Sequence, residues 1–252
     1  MPSAPKTIFM IEKESSRIER RETDPERRFQ VTVVGAACSG KSTLLRSLRD
    51  EGYTTNPEPD NPMFPLFLEN PKKYAYRNQL HKTAQLMEQE LLDTKADKLS
   101  NPDFRESGVL ATAVYNRFLY DQGYMSFDQY SHLNWLYEHH LASFPTPDLV
   151  VYLYAPDDVI KSRAVKRDGL VAHDPNSLQP YWDKLLNNLE NRGIPVLRVN
   201  TGTHEVGKTK QIILDEVKRL KSEQTDEPVA PRELKFKQVA FSPPRSRAYN
   251  PE

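Results

Sequence analysis

Cysteine is nearly absent: the chain of 252 residues has one, Cys38. A single cysteine excludes an internal disulfide framework and a thiolate zinc site, and it suits a reducing compartment. Charge of one sign is missing too. The 35 lysines and arginines balance 35 aspartates and glutamates, so the formal net charge is +0. No overall field draws such a chain to nucleic acid or to an anionic membrane. Long apolar runs are also lacking. A stretch such as Leu149 to Tyr154 is far too short to cross a bilayer, and the mean hydropathy is −0.72. The opening segment MPSAPKTIFMIEKESSRIERRE holds no signal-type apolar core. It carries glutamates where a mitochondrial presequence avoids acids, so a cytoplasmic location is expected. No internal repeat is visible. The 6 histidines are scattered, and the adjacent His139 and His140 lack the spacing of a metal pair.

What is present centres on residues 29–45, FQVTVVGAACSGKSTLL. Gly35, Ala36, Ala37, Cys38, Ser39, Gly40, Lys41 and Ser42 fit the phosphate-binding pattern G-x-x-x-x-G-K-[ST]. Val31 to Val34 read as a buried strand before it, and Thr43 opens the rest of an amphipathic helix after it. Such a turn aims backbone N–H groups at one point, where the helix N-terminus adds partial positive charge. It is a nest for a polyphosphate. Lys41 reaches the β- and γ-phosphates, and the Ser42 hydroxyl ligates Mg²⁺. A side chain at Gly35 or Gly40 would strain the turn or fill the phosphate's place. Cys38 reads as a small loop residue rather than a redox sensor.

Strands alternate with helices along residues 29–222, which predicts a P-loop α/β three-layer domain, a parallel sheet flanked by helices. Strands are expected near Gly52 to Thr55, over Asp148 to Tyr154 and over Pro195 to Val199. The Pro-rich segment 56–62 cannot be helical. Helices are expected over Pro71–Lys95, Val109–Gln122, Ser126–Ser143, Asp157–Arg167, Leu178–Asn191 and Glu205–Lys221. Residues 1–28 read as a flexible polar arm, with Ile8 to Ile11 as a weak strand signal. Residues 223–252 read as a disordered Pro-rich tail, and Ser242 to Arg245 as the sharper reading of a docking peptide. Tyr130, Leu133, Trp135, Leu136 and Tyr137 have the spacing of a packed helix face.

Beyond the P-loop, the order of features resembles the deoxynucleoside kinases. The matching pieces are Asp60-Asn61-Pro62, Phe67, Glu69-Asn70-Pro71, Lys73-Tyr74-Ala75 and Gln79. They continue with Ala113-Val114-Tyr115, Leu119 to Gly123, Pro147 to Leu153 and the basic helix end Arg163 to Arg167. The resemblance covers about residues 29–200. It implies ATP- and Mg²⁺-dependent transfer to a hydroxyl of a deoxynucleoside-like acceptor. Arg163 and Arg167 stand where the family keeps its lid arginines. Gln79 matches the glutamine that contacts the nucleobase, and Tyr74 and Tyr115 lie where pocket aromatics are expected. A homodimer through the helical pair at 109–143 also fits the family.

The acceptor side departs from the pattern. The family's Glu-Pro after the second strand falls on Asn56-Pro57 in an ungapped reading, and a two-residue shift brings in Glu58-Pro59. Asn cannot serve as a general base, so Glu58 is the expected orienting carboxylate. The Asp/Glu-Arg-Ser at the end of the third strand becomes Glu106-Ser107-Gly108. Glu106 keeps the carboxylate and is expected to support Mg²⁺, but the arginine is gone unless Arg105 substitutes. The third strand itself is hard to see, because Leu99 to Phe104 lacks an apolar run. The family's next Asp falls on Thr112, and an arginine seven residues after Gln79 falls on Leu86. Three readings follow: a deoxynucleoside kinase, a nucleotide or modified-base (DNA) kinase of the same fold, or an ATP-binding scaffold without catalysis. A GTPase switch is disfavoured, since Asn-Lys-x-Asp is missing and no Asp closes the Leu149–Tyr154 strand.

Overall fold

A computed structural model describes residues 29–93, 102–143, 146–168 and 175–226. The expected arm at 1–28, the last turn of the helix read to Lys95 and the tail from 227 onward, with Ser242 to Arg245, lie outside the described residues.

Five strands, β1 (Gln30–Val34), β2 (Thr54–Asn56), β3 (Asp103–Glu106), β4 (Leu149–Tyr154) and β5 (Val196–Asn200), form one sheet in the order β2-β3-β1-β4-β5. Every pairing is parallel. The chain goes out from β1 to the β2 edge, returns through β3 and crosses over β1 to β4 and β5. β1 is therefore central, and the crevice beyond its C-terminal end is where a parallel sheet of this kind binds ligands.

Helices cover both faces. On one face α1 (Lys41–Asp50) and α8 (Val206–Asp226) bury Leu44, Leu48, Ile213 and Val217 against Val31, Val33, Phe104, Val151 and Leu153. On the other, α3 (Pro71–Asp93), α4 (Gly108–Asp121), α5 (Phe127–Ser143) and α7 (Gln179–Asn191) pack Leu86, Val114, Leu133, Trp182 and Leu186 against Val34, Val150 and Tyr152. Alternate residues of each strand serve opposite layers, as the two-residue period demands. A short α2 (Phe64–Glu69), a 3₁₀ turn (Pro175–Leu178) and α6 (Asp157–Asp168) complete the described elements. No helix among the described residues is long and apolar enough to cross a membrane.

β3 is the strand the sequence half hid. All four of its residues, Asp103, Phe104, Arg105 and Glu106, are buried, and three are ionisable. Each charged side chain has a partner, which makes burial tolerable. Asn56 Nδ2 donates to Asp103 Oδ1 at 2.9 Å, Arg105 lies 3.5 Å from Glu90, and Ser42 Oγ donates to Glu106 at 2.9 Å. α8 runs to Asp226, beyond the expected Lys221.

Trp135 corrects the packed-face expectation for α5. Leu133 and Tyr137 are buried, but Trp135 is 59% exposed and stacks on His139. The buried stripe passes through 133, 137 and 140, two residues off the tryptophan.

Candidate active site

The P-loop joins β1 to α1. Gly35 has φ +147°, and a Cβ there would lie 2.3 Å from the Leu153 carbonyl oxygen. Gly40, at φ +102°, caps α1 in a left-handed conformation. Cys38 adopts φ 63°, which strains a residue with a side chain. Lys41 is buried, and its ammonium donates to the carbonyls of Gly35 and Ala36 at 3.1 Å each. The Ser39 hydroxyl is buried and has no hydrogen-bond partner among the described residues. A glycine turn opening onto a helix N-terminus, with an unsatisfied buried hydroxyl on Ser39, fits a phosphate chain.

Ser42 and Glu106 form the metal-type pair. The Ser42 hydroxyl donates to Glu106 Oε1 at 2.9 Å, linking the first turn of α1 to the end of β3. Both are hard oxygen donors. No group of three or more His, Cys, Asp or Glu able to hold a metal occurs among the described residues. One hydroxyl and one carboxylate suit Mg²⁺, which keeps waters and takes its remaining ligands from phosphate oxygens.

Strand parity decides Arg105. Glu106 shares the α1 face with Phe104, whereas Arg105 turns to the opposite layer. There it meets Glu90, which also accepts from Val109 N at 3.0 Å and pairs with His140 at 2.6 Å. These side chains border a cavity of about 20 Å³, with room for one water. Arg105 therefore does not replace the arginine missing after Glu106.

Glu58 sits beside the P-loop. Its Oε2 accepts from Ser107 Oγ at 2.7 Å, and its Oε1 faces the Lys82 ammonium at 2.7 Å. Burial pushes the Glu58 carboxyl up. The charges of Lys82 and Lys41, with hydrogen bonds from Lys82 and Ser107, outweigh this and hold it below the usual glutamate range. Ser107 has φ 66° and ψ −56°, a strained turn that ends β3 and opens α4. Asn56 faces Asp103 across two strands instead.

Four residues of α3 hold the Pro-rich loop that carries Glu58. Asn78 accepts from Asn61 Nδ2 at 2.8 Å, and Lys82 donates to the Pro59 carbonyl at 2.9 Å. Gln85 donates to the Asp60 carbonyl at 2.8 Å, and Gln89 to the Pro57 carbonyl at 3.0 Å. Positions 78, 82, 85 and 89 share one helix face. Prolines 57, 59 and 62 have no N–H, so this loop cannot build a regular ladder, and side chains satisfy its carbonyls instead. The sequence reading missed Lys82 and this stripe. Its signal was a polar i, i+4, i+7, i+11 row on a long helix following a Pro-rich loop.

The remaining expected residues fall as follows. Gln79 is buried on α3. Tyr115 stands edge-on to Trp182 with ring centroids 6.2 Å apart, and burial, then the Glu58 and Tyr152 charges, push its phenol up. Tyr74 is half-buried against the core, with the Lys73 ammonium 4.9 Å from its ring. Arg163 binds rather than projects. It donates to Thr201 Oγ1 at 3.0 Å, to the Thr201 carbonyl at 2.7 Å and to the Cys38 carbonyl at 3.4 Å. Thr201 in turn donates to the Ser39 carbonyl at 2.8 Å, so α6, the turn after β5 and the P-loop are tied together. Arg167 is exposed in the last turn of α6.

A central strand, a glycine turn gripping the next helix, and a hydroxyl–carboxylate pair beside it define a P-loop α/β fold of the nucleoside-triphosphate-binding type. The family model for deoxynucleoside kinases matches residues 31–219. The chain belongs to the deoxynucleoside kinase family, and is a deoxynucleoside kinase-like phosphotransferase. A deoxyguanosine kinase of Lactobacillus johnsonii is 28% identical over 173 residues, 62% of this chain and 72% of that protein. The deoxyadenosine kinase of M. mycoides, solved with the products dCMP and a flexible dCDP, superposes with a TM-score of 0.64. It is 17% identical over 75% of this chain and 99% of that one. Its structure with bound dCTP gives a TM-score of 0.62 at 18% identity, over the same 75% and 99%. At such identities the shared property is the fold.

Proposed function

We propose that this protein transfers the γ-phosphoryl group of ATP to a hydroxyl of a deoxynucleoside, with Mg²⁺ at Ser42 and Glu106. The observation that carries the reading is the convergence of three parts at one end of the sheet. The P-loop, the Ser42–Glu106 pair and a Glu58 carboxylate held by Ser107 and Lys82 all lie there. Phosphoryl transfer asks for little else: a phosphate cradle, a metal, an oriented acceptor and cations.

The main-chain amides of residues 35–40 would hold the triphosphate, and Lys41 would leave its loop carbonyls for the β- and γ-phosphates. When bound, Mg²⁺ neutralises charge on those phosphates. Glu58 would accept a hydrogen bond from the acceptor hydroxyl and fix its oxygen in line. The new bond forms between that oxygen and the γ-phosphorus while the β,γ-bridging P–O bond breaks and ADP leaves; the hydroxyl proton ends on Glu58. A carboxylate with a depressed pKa is a weak base. That suits a loose transition state, which needs an oriented nucleophile more than an early deprotonation. Arg163 would lock the P-loop against the turn after β5, and Arg167 would meet charge on the transferring group. Gln79, Tyr115 and Tyr74 would form the base side of the acceptor pocket.

The test is ATP consumption with each deoxynucleoside in turn. Lys41→Ala should abolish turnover or ATP binding. Glu58→Gln and Glu106→Gln should each cost about 10²-fold in turnover. ATP binding without transfer to any deoxynucleoside, nucleotide or modified DNA would instead make the protein a scaffold. A cytoplasmic location and a homodimer through α4 and α5 belong to the same proposal. The exposed Trp135–His139 stack on α5 supports the dimer.

A further inference from the structure

We propose that Lys82 is a positioning residue for phosphoryl transfer, holding the Glu58 carboxylate in the orientation that receives the acceptor hydroxyl. The inference rests on the reading of Glu58 given above.

The geometry is specific. Lys82 comes from the middle of α3, and its side chain is 12% exposed. Its ammonium bridges two points of one loop, Glu58 Oε1 at 2.7 Å and the Pro59 carbonyl at 2.9 Å. The charge thus fixes the carboxylate and the backbone beside it together. Ser107 Oγ takes the other carboxylate oxygen at 2.7 Å. A carboxylate tethered at both oxygens cannot rotate away, yet it keeps lone pairs for a third donor, because it has about four acceptor sites. The loop has few restraints of its own, since three of its residues from 57 to 62 are prolines without N–H donors.

The end of β3 supplies no cation to do this work. Residue 107 is a serine, and Arg105 is committed to Glu90 on the opposite layer. Lys82 brings positive charge from a different element.

Kinetics of the full-length chain with ATP, Mg²⁺ and its best deoxynucleoside test the role. Lys82→Met should lower kcat by about 10- to 100-fold, the scale of a misplaced reacting group, and leave the KM for ATP unchanged. Lys82→Arg should regain most of the loss, and propylammonium should partly restore Lys82→Ala. An arginine variant no faster than the methionine variant, or a methionine variant as fast as wild type, overturns the proposal. Should the single neutral variants fail to fold, Lys82→Met combined with Glu58→Gln leaves no buried lone charge. Its kcat should equal that of Glu58→Gln alone; a further tenfold loss would mean that Lys82 acts on substrate directly and not through Glu58. A wild type that binds ATP but phosphorylates no deoxynucleoside defeats the kinase reading itself, an outcome distinct from an active wild type indifferent to Lys82.

Discussion

Gly35 shows how little freedom the P-loop leaves. Its φ of +147°, and the 2.3 Å that would separate a Cβ at this position from the Leu153 carbonyl oxygen, make any side chain intolerable. Gly35→Ala should cost about 2 kcal/mol or more in thermal denaturation and should weaken ATP binding along with it. Glu106 and Arg105 make the complementary point. They are neighbours in sequence, but the two-residue period of the strand sends one to Ser42 and the other to Glu90. Glu106→Gln should therefore raise the Mg²⁺ concentration needed for half-maximal turnover, whereas Arg105→Lys should act on stability and leave the Mg²⁺ requirement alone. A Mg²⁺ titration of both variants separates the two faces. At this scale the sequence was explicit about the P-loop, because the contiguous residues 35–42 carry its chemistry. It was ambiguous between Asn56 and Glu58, because which carboxylate or amide reaches the site depends on where a Pro-rich loop bends.

α3 links the two polar systems of the molecule. One of its rows, Asn78, Lys82, Gln85 and Gln89, fastens the Glu58 loop, and Glu90 fastens the start of α4. Gln85→Ala and Gln89→Ala together should loosen the loop and raise the acceptor KM several-fold while ATP binding holds, which steady-state kinetics would read. Glu90 offers a pH test. Burial pushes its carboxyl up, but hydrogen bonds from His140 and Val109 N and the Arg105 charge hold it below the usual glutamate range. A carboxyl with a depressed folded-state pKa binds fewer protons folded than unfolded. It contributes stability that is complete above the unfolded value of about 4.3 and is lost as pH falls through the lower folded value. Glu90→Gln should cost about 3 kcal/mol at pH 7, and the deficit should shrink as pH drops below about 4.5 in urea denaturation series. Neither the row nor Glu90 was singled out beforehand, because polar helix residues look ordinary until a loop or a second helix is laid against them.

At the scale of the whole molecule, one sheet separates two cores. The α1–α8 layer packs behind the P-loop, and the α3–α4–α5–α7 layer holds the residues of the proposed acceptor side. Ligand binding should stabilise both, because the site spans the strand ends that join them. ATP at about 100 times its Kd should raise stability by about 2.7 kcal/mol, visible as a rise in Tm that Lys41→Ala abolishes. If the exposed face of α5 joins two copies, sedimentation should find a dimer, and Trp135→Ala should shift it toward monomer. The parallel sheet and its flanking helices were legible from alternating patterns, since a strand such as β4, buried on both sides from Leu149 to Leu153, reads as an unbroken apolar run. β3 was not, because a central strand with paired charges has no apolar signature. By itself the chain determined the glycine turn after β1 and the alternation of helices with the apolar strands, both set by local chemistry and periodicity. Only the tertiary structure decided which cation stands beside Glu58. Lys82 lies far along the chain on another element, and it meets that carboxylate only where a helix packs on a loop that cannot support itself.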